Sequence, residues 1–202
     1  VFYTGHDSRN EYIYKFVSDT PWDPSDAHMI GGNYDRLAIG DKYMNSGTLY
    51  AARFNADGSG EWLPLTPDAM VADGSQTLAS ALNLAADDQA GVIINTCDAA
   101  DWMGATPMDR PEWGTVDPDS GAVYMTLTNN SDRTEEGTEA TFTEGGDAVT
   151  DNGAGYATAP VNAANPRADN SNGQVIRWVE PAVGATTFEW DIFVFGSIPQ
   201  SG

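Results

Sequence analysis

Short runs of alternating apolar and polar residues, each bounded by a turn rich in glycine, proline, asparagine or aspartate, recur along most of this chain. In Tyr12–Ser18, the residues Tyr12, Tyr14 and Phe16 alternate with Ile13, Lys15 and Val17. A period of two is the mark of a strand, whose side chains point to opposite faces in turn. Gly47–Phe54 is a second such strand. Asn55–Gly60 is a strong turn signal, and Glu61–Leu65 returns to make a hairpin. Val116–Gly121 is another turn, feeding a strand over Ala122–Thr128. Gly173–Val179 is a further strand. Thr186–Phe195 is the longest, with Phe188, Trp190, Ile192 and Val194 on one face.

The strands that start at Gly47, Gly121 and Gly173 all leave a glycine-containing turn. This loose recurrence suits propeller blades, and a β-sandwich uses such turns as well. Helical spacing intrudes in one region, over 68–104. Thr77–Asp88 places Leu78, Leu82 and Ala85 one above another. Thr96–Trp102 reads as a second short helix, with Thr96 as N-cap, Asp98 in the first turn and Gly104 ending it. Pro107 stops any continuation. The stretch 131–167 is poor in large apolar residues and carries Glu135, Glu136, Glu139, Glu144, Asp147 and Asp151. It reads as a long acidic loop with no spaced EF-hand pattern.

Thirty acids face nine bases, a formal charge of −21 over 202 residues. Such a field repels nucleic acid and anionic lipid and attracts divalent cations. A bound phosphate then needs local positive charge. Seven of the nine bases are arginine, the residue suited to fixed bidentate contacts. No apolar run approaches the roughly 20 residues that span a bilayer. The lone cysteine, Cys97, forms no disulfide within the chain and is expected to be a small buried hydrophobe. His6 and His28 are expected to be surface or hydrogen-bonding residues, although His6, beside Asp7, is also placed to ligate a metal. The six tryptophans are expected in core packing rather than along a carbohydrate cleft.

The run Met108–Trp113, Met-Asp-Arg-Pro-Glu-Trp, concentrates the chemistry. Carboxylates ligate hard cations, and an arginine fork grips phosphate or carboxylate. Pro111 bars a regular helix or central strand, so the run is a rigid connector between a helix end and a strand. By itself it reads first as an Asp–Arg–Glu surface loop capping that strand, and only second as a site.

Five segments together resemble the PhoX-type alkaline phosphatases, secreted bacterial propeller enzymes. They are Gly5–Ser18, Gly47–Leu65, Ala105–Trp113, Val123–Asn130 and Asn165–Asn170, and the likeness continues through Gly173–Trp178 and Thr186–Phe193. The resemblance implies a mainly β fold, part of a β-propeller, with one or two short inserted helices. At about 40–45 residues per blade, the length suits about four blades. It implies metal-dependent hydrolysis of a small phosphoester at a cluster of iron and calcium, in a periplasmic or extracellular protein. By position, Arg110 resembles the guanidinium that holds the substrate phosphate, and Glu112 and Glu11 resemble metal ligands. Asp7, Asp109 and Asn130 are expected to support them. The family's cysteine ligand and further acidic ligands lie in segments outside this chain, and Cys97 does not match that ligand. The chain is therefore expected to be the middle of a longer protein, with the remainder, or a second copy meeting edge to edge, as its partner. The alternative is a non-catalytic, calcium-stabilised binding or structural propeller fragment.

Overall fold

The computed structural model describes residues 1–28, 36–142 and 156–197. His28 ends a short 3-10 turn, and its side chain lies outside the described residues. In chain order the first elements are β1 (Phe2–Gly5), β2 (Arg9–Glu11), β3 (Ile13–Ser18), α1 (Arg36–Met44), β4 (Gly47–Phe54) and β5 (Ser59–Pro64). Three helices follow: α2 (Leu78–Ala81), α3 (Gln89–Ile94) and α4 (Thr96–Met103). The chain then returns to strands with β6 (Met108–Asp109), β7 (Pro111–Val116), β8 (Val123–Leu127), β9 (Arg133–Thr134), β10 (Thr141–Phe142) and β11 (Tyr156–Pro160). The last two are β12 (Gln174–Val179) and β13 (Thr187–Phe195). No helix among the described residues is long and apolar enough to cross a membrane.

Eight strands form one antiparallel sheet in the order β1-β3-β4-β5-β13-β12-β8-β7. Its two ends approach each other, so the sheet nearly closes. A Cβ built on Gly5, at the end of β1, would lie 2.5 Å from the carbonyl oxygen of Pro111 at the start of β7. Only glycine fits that approach.

The period of two sorts side chains between two cores. Ile13, Ala52, Trp62, Met125, Ile176 and Trp178 point into one. Their neighbours Tyr12, Tyr14, Ala51 and Leu63 point to the other face, against Leu78, Val92, Ala99 and Met103 of the helices. Tyr3, Phe54, Trp62 and Phe188 surround the fully buried Trp178, with ring centroids 5.5, 6.4, 6.0 and 6.3 Å away. Tilted and edge-on contacts of this kind add to the large area each ring buries. By contrast, Trp22 and Trp113 are exposed, so core packing does not account for all six tryptophans.

Val194 also departs from expectation. The pairing of β12 with β13 skips from Ile176 opposite Ile192 to Val175 opposite Val194, so Phe193 is an extra residue. A bulge reverses the alternation beyond it. Val194 is consequently exposed, while Phe188 is buried and Ile192 packs on the core.

The helix expected over Thr77–Asp88 stops at Ala81 and resumes as α3. Asn83 adopts a left-handed backbone, with φ 53°, between the two pieces. Asp88 rather than an upstream residue caps α3, accepting from Gly91 N at 2.8 Å. Thr96 lies inside α4, with Asn95 at the N-cap position, and Gly104 ends the helix at φ 73°. The stretch 131–167 carries β9 to β11 near its ends, and Glu144, Asp147 and Asp151 fall outside the described residues.

Candidate active site and metal centre

Residues far apart in the chain meet because β2 pairs with β6, setting Arg9 opposite Asp109 and Glu11 opposite Met108. This two-stranded ribbon lays the Glu11 segment beside the Asp-Arg-Pro-Glu run.

Under the ribbon lies a buried polar network. Asp109 is fully buried. Its carboxylate accepts from Arg133 Nε at 2.9 Å, Asn130 Nδ2 at 2.9 Å and Asn170 Nδ2 at 3.1 Å. Arg133 is equally buried and donates onward to the carbonyls of Pro107 and Pro160 at 2.9 and 3.0 Å. Asn165 Oδ1 accepts from the Asp109 backbone N–H at 3.0 Å, and Asn130 Nδ2 also donates to Asn10 Oδ1 at 3.0 Å. A buried charge is tolerated when paired and hydrogen-bonded like this. Asp109 and Asn130 thus hold the platform and offer nothing to solvent.

Arg110 sits at the corner between β6 and β7 with φ 50°. A non-glycine residue there stores about 1–3 kcal/mol of strain, sustained by its surroundings. The Thr128 N–H pins the corner from β8, donating to the Asp109 carbonyl at 2.9 Å. The Arg110 side chain emerges partly into solvent. Nη1 donates to Asn129 Oδ1 at 2.7 Å, and Nε lies 3.1 Å from Asp7 Oδ1. Arg110, Asp7, Asp109 and Asn130 are therefore brought together as one buried base and one exposed guanidinium. Glu112 is elsewhere: it is exposed on β7, and its carboxylate accepts from the adjoining Trp113 Nε1 at 3.1 Å.

Glu11 faces a different neighbourhood. Its Oε2 lies 3.1 Å from His6 Nδ1, and His6 Nδ1 lies 3.5 Å from Cys97 Sγ. Potential ligand atoms of all three residues fall within 4.8 Å of one another. Cys97 is partly accessible on α4 rather than a buried hydrophobe, and His6 is exposed. Burial first, and then the Glu11 carboxylate, push the Cys97 thiol up to about 12. Asp101, on the same helix, is pushed up to about 7, chiefly by burial and then by the charges of Glu11 and Asp98, against the opposing hydrogen bond from Tyr12.

Sequence reasoning missed Arg133, Asn10, Asn165 and Asn170 as a single network. The signal available was the density of asparagines at Asn129, Asn130, Asn165 and Asn170. Cys97 joins His6 and Glu11 through a tertiary contact that no local spacing announces.

A family model described as alkaline phosphatase PhoX matches residues 1–201. The chain belongs to the PhoX alkaline phosphatase family. No curated protein sequence matches it. Among solved structures, PhoX from Pseudomonas fluorescens, in complex with vanadate, a transition state analogue, is similar at 35% identity and a TM-score of 0.65. The match covers 95% of this chain and 28% of that one. This PhoX-family chain is thus mainly β with short helices, and its nearly closed antiparallel sheet is propeller-like. It spans 28% of the length of that PhoX.

Proposed function

We propose that this chain forms part of a metal-dependent phosphate monoester hydrolase of the PhoX type, acting on a small phosphoester in the periplasm or outside the cell. The observation that carries this reading is the family match over residues 1–201, together with the partly exposed Arg110 guanidinium on its buried base. The related structure that holds vanadate supports phosphoryl transfer as the reaction class.

In this reading Arg110 donates to the equatorial phosphoryl oxygens, where charge redistributes as the leaving group departs. Asn129 and Asp7 keep the guanidinium aimed, and Asp109 with Asn130 keeps the corner rigid. Glu11 and Glu112 serve as metal ligands. Glu11 fits such a role: its Oε2 is buried and has no hydrogen-bond partner. The resemblance names the cations as iron and calcium. When bound they supply Lewis-acid polarisation of the phosphoryl group. The other ligands of such a centre are proposed to come from polypeptide outside these residues, since the chain spans 28% of the related enzyme.

The test is hydrolysis of p-nitrophenyl phosphate by the protein that carries this chain, with Arg110→Ala as the control. Hydrolysis that falls at least about 100-fold in the variant supports the reading, in line with loss of one oxyanion donor. A folded, metal-loaded protein without activity would support the non-catalytic propeller instead.

A further inference from the structure

We propose that His6, Glu11 and Cys97 form a site for a borderline divalent transition metal such as zinc(II), built wholly from this chain and distinct in character from a calcium site. It shares Glu11 with the reading above and otherwise does not depend on phosphatase activity.

Donor chemistry comes first. Imidazole nitrogen and thiolate sulfur select zinc, cobalt or iron, whereas calcium takes only oxygen. A mixed sulfur, nitrogen and oxygen set therefore disfavours calcium. Geometry agrees. Zinc bonds of about 2.3 Å to sulfur and about 2.0–2.2 Å to nitrogen or oxygen put neighbouring tetrahedral ligands roughly 3.3–3.6 Å apart. The structure has His6 Nδ1 at 3.1 Å from Glu11 Oε2 and at 3.5 Å from Cys97 Sγ. The ligands are nearly in place before any ion arrives.

The surroundings point the same way. Glu11 Oε2 is buried with no hydrogen-bond partner, and so is Asp101 Oδ2. Asp101 stands four residues, one turn, along α4 from Cys97, on the same face of the helix. Two buried carboxylate oxygens without a hydrogen bond, one of them with only His6 Nδ1 beside it at 3.1 Å, are costly without a cation. A divalent ion would satisfy Glu11 directly. Three protein ligands leave a fourth tetrahedral position for water or an incoming oxygen, and the exposed side of His6 leaves it accessible.

The three ligands come from separate elements. His6 follows β1, Glu11 ends β2 and Cys97 lies in the first turn of α4. Metal binding would therefore tie the helical layer to the end of β1 and to the β2–β6 ribbon. The thiol must lose its proton to bind, so uptake of the ion releases a proton.

Cobalt(II) added to the chelator-stripped protein tests this. The expected result is one equivalent bound, with a sulfur-to-cobalt charge-transfer band in the near ultraviolet and tetrahedral bands in the visible. Zinc(II) should abolish these bands, and excess calcium should not. Cys97→Ser should lose the charge-transfer band and bind at least about tenfold more weakly, the lower end of what losing even an outer partner of a metal ligand costs. The unmutated protein gives a reading that needs no variant: zinc(II) should slow alkylation of Cys97 by iodoacetamide. Absence of the charge-transfer band, or an alkylation rate indifferent to zinc(II), would overturn the proposal. An Arg110→Ala protein that loses hydrolysis yet keeps the cobalt spectrum separates this site from the phosphate grip, and cobalt bands in a protein without hydrolysis would sink only the phosphatase reading.

Discussion

Asp109 and Arg133 form an ion pair from which water is wholly excluded: both side chains are 0% exposed, and Nε lies 2.9 Å from Oδ1. Removing one partner would strand the other charge, at a cost of about 3–5 kcal/mol. Arg133→Met is therefore expected to lose that much in urea unfolding. The double variant Arg133→Met with Asp109→Leu should recover part of the loss. Equal stability of the single and double variants would contradict the pairing.

Arg110 gives a prediction of opposite signs. Its φ of 50° is relaxed in glycine. Arg110→Gly should release about 1 kcal/mol of strain, less what the contacts with Asp7 and Asn129 contribute. Thermal melting should hold steady or rise while phosphate-ester hydrolysis disappears. A melting temperature well below the parent would mean that the surface ion pair outweighs the strain.

Asp101 sets a pH dependence. In the folded chain it keeps its proton up to about pH 7, against 3.8 ordinarily. The folded state then binds more protons than the unfolded state between those values, so stability is full below about pH 4 and falls as pH rises towards 7. Asp101→Asn retains an acceptor for Tyr12 and carries no charge. With a chelator present, the variant should match the parent near pH 4 and exceed it above pH 7, by at most about 4 kcal/mol. Parallel stability curves for the two proteins would count against a buried, protonated Asp101.

Lys15 is fully buried on β3. It donates to Glu180 and to the Ala185 carbonyl, the latter at 2.7 Å. Desolvation lowers its pKa and Glu180 opposes that shift. Glu180 also accepts from Tyr3 and from Trp62 Nε1, at 2.7 and 3.0 Å. Lys15→Met would leave this carboxylate without its counter-charge, and about 3–5 kcal/mol should be lost in denaturant unfolding. A loss under about 1 kcal/mol would place the pair with ordinary surface bridges.

The mainly β class was legible because period-two alternation is a local property. Tyr12, Ile13 and Tyr14 state their two faces directly. The corner at Arg110 was legible as a rigid connector, because Pro111 bars a regular helix or central strand. What stayed hidden depends on register and long-range contact. The extra residue at Phe193 flips the end of β13, and nothing in the alternation of Phe188, Trp190, Ile192 and Val194 signals it. Cys97 reads as one more small apolar residue until α4 is docked beside His6. Asp109 reads only as a support, and the sequence does not show that Arg133 and the surrounding asparagines use up its oxygens.

The sheet nearly closes where Gly5 meets Pro111. One residue beyond Gly5 is His6, and one residue before Pro111 is Arg110. The seam that strand pairing leaves unsealed therefore runs between the two proposed sites, with His6 on one side and Arg110 on the other. A single methyl group placed at Gly5 would act as a wedge, prising apart the proposed ion grip and the phosphate grip in one stroke.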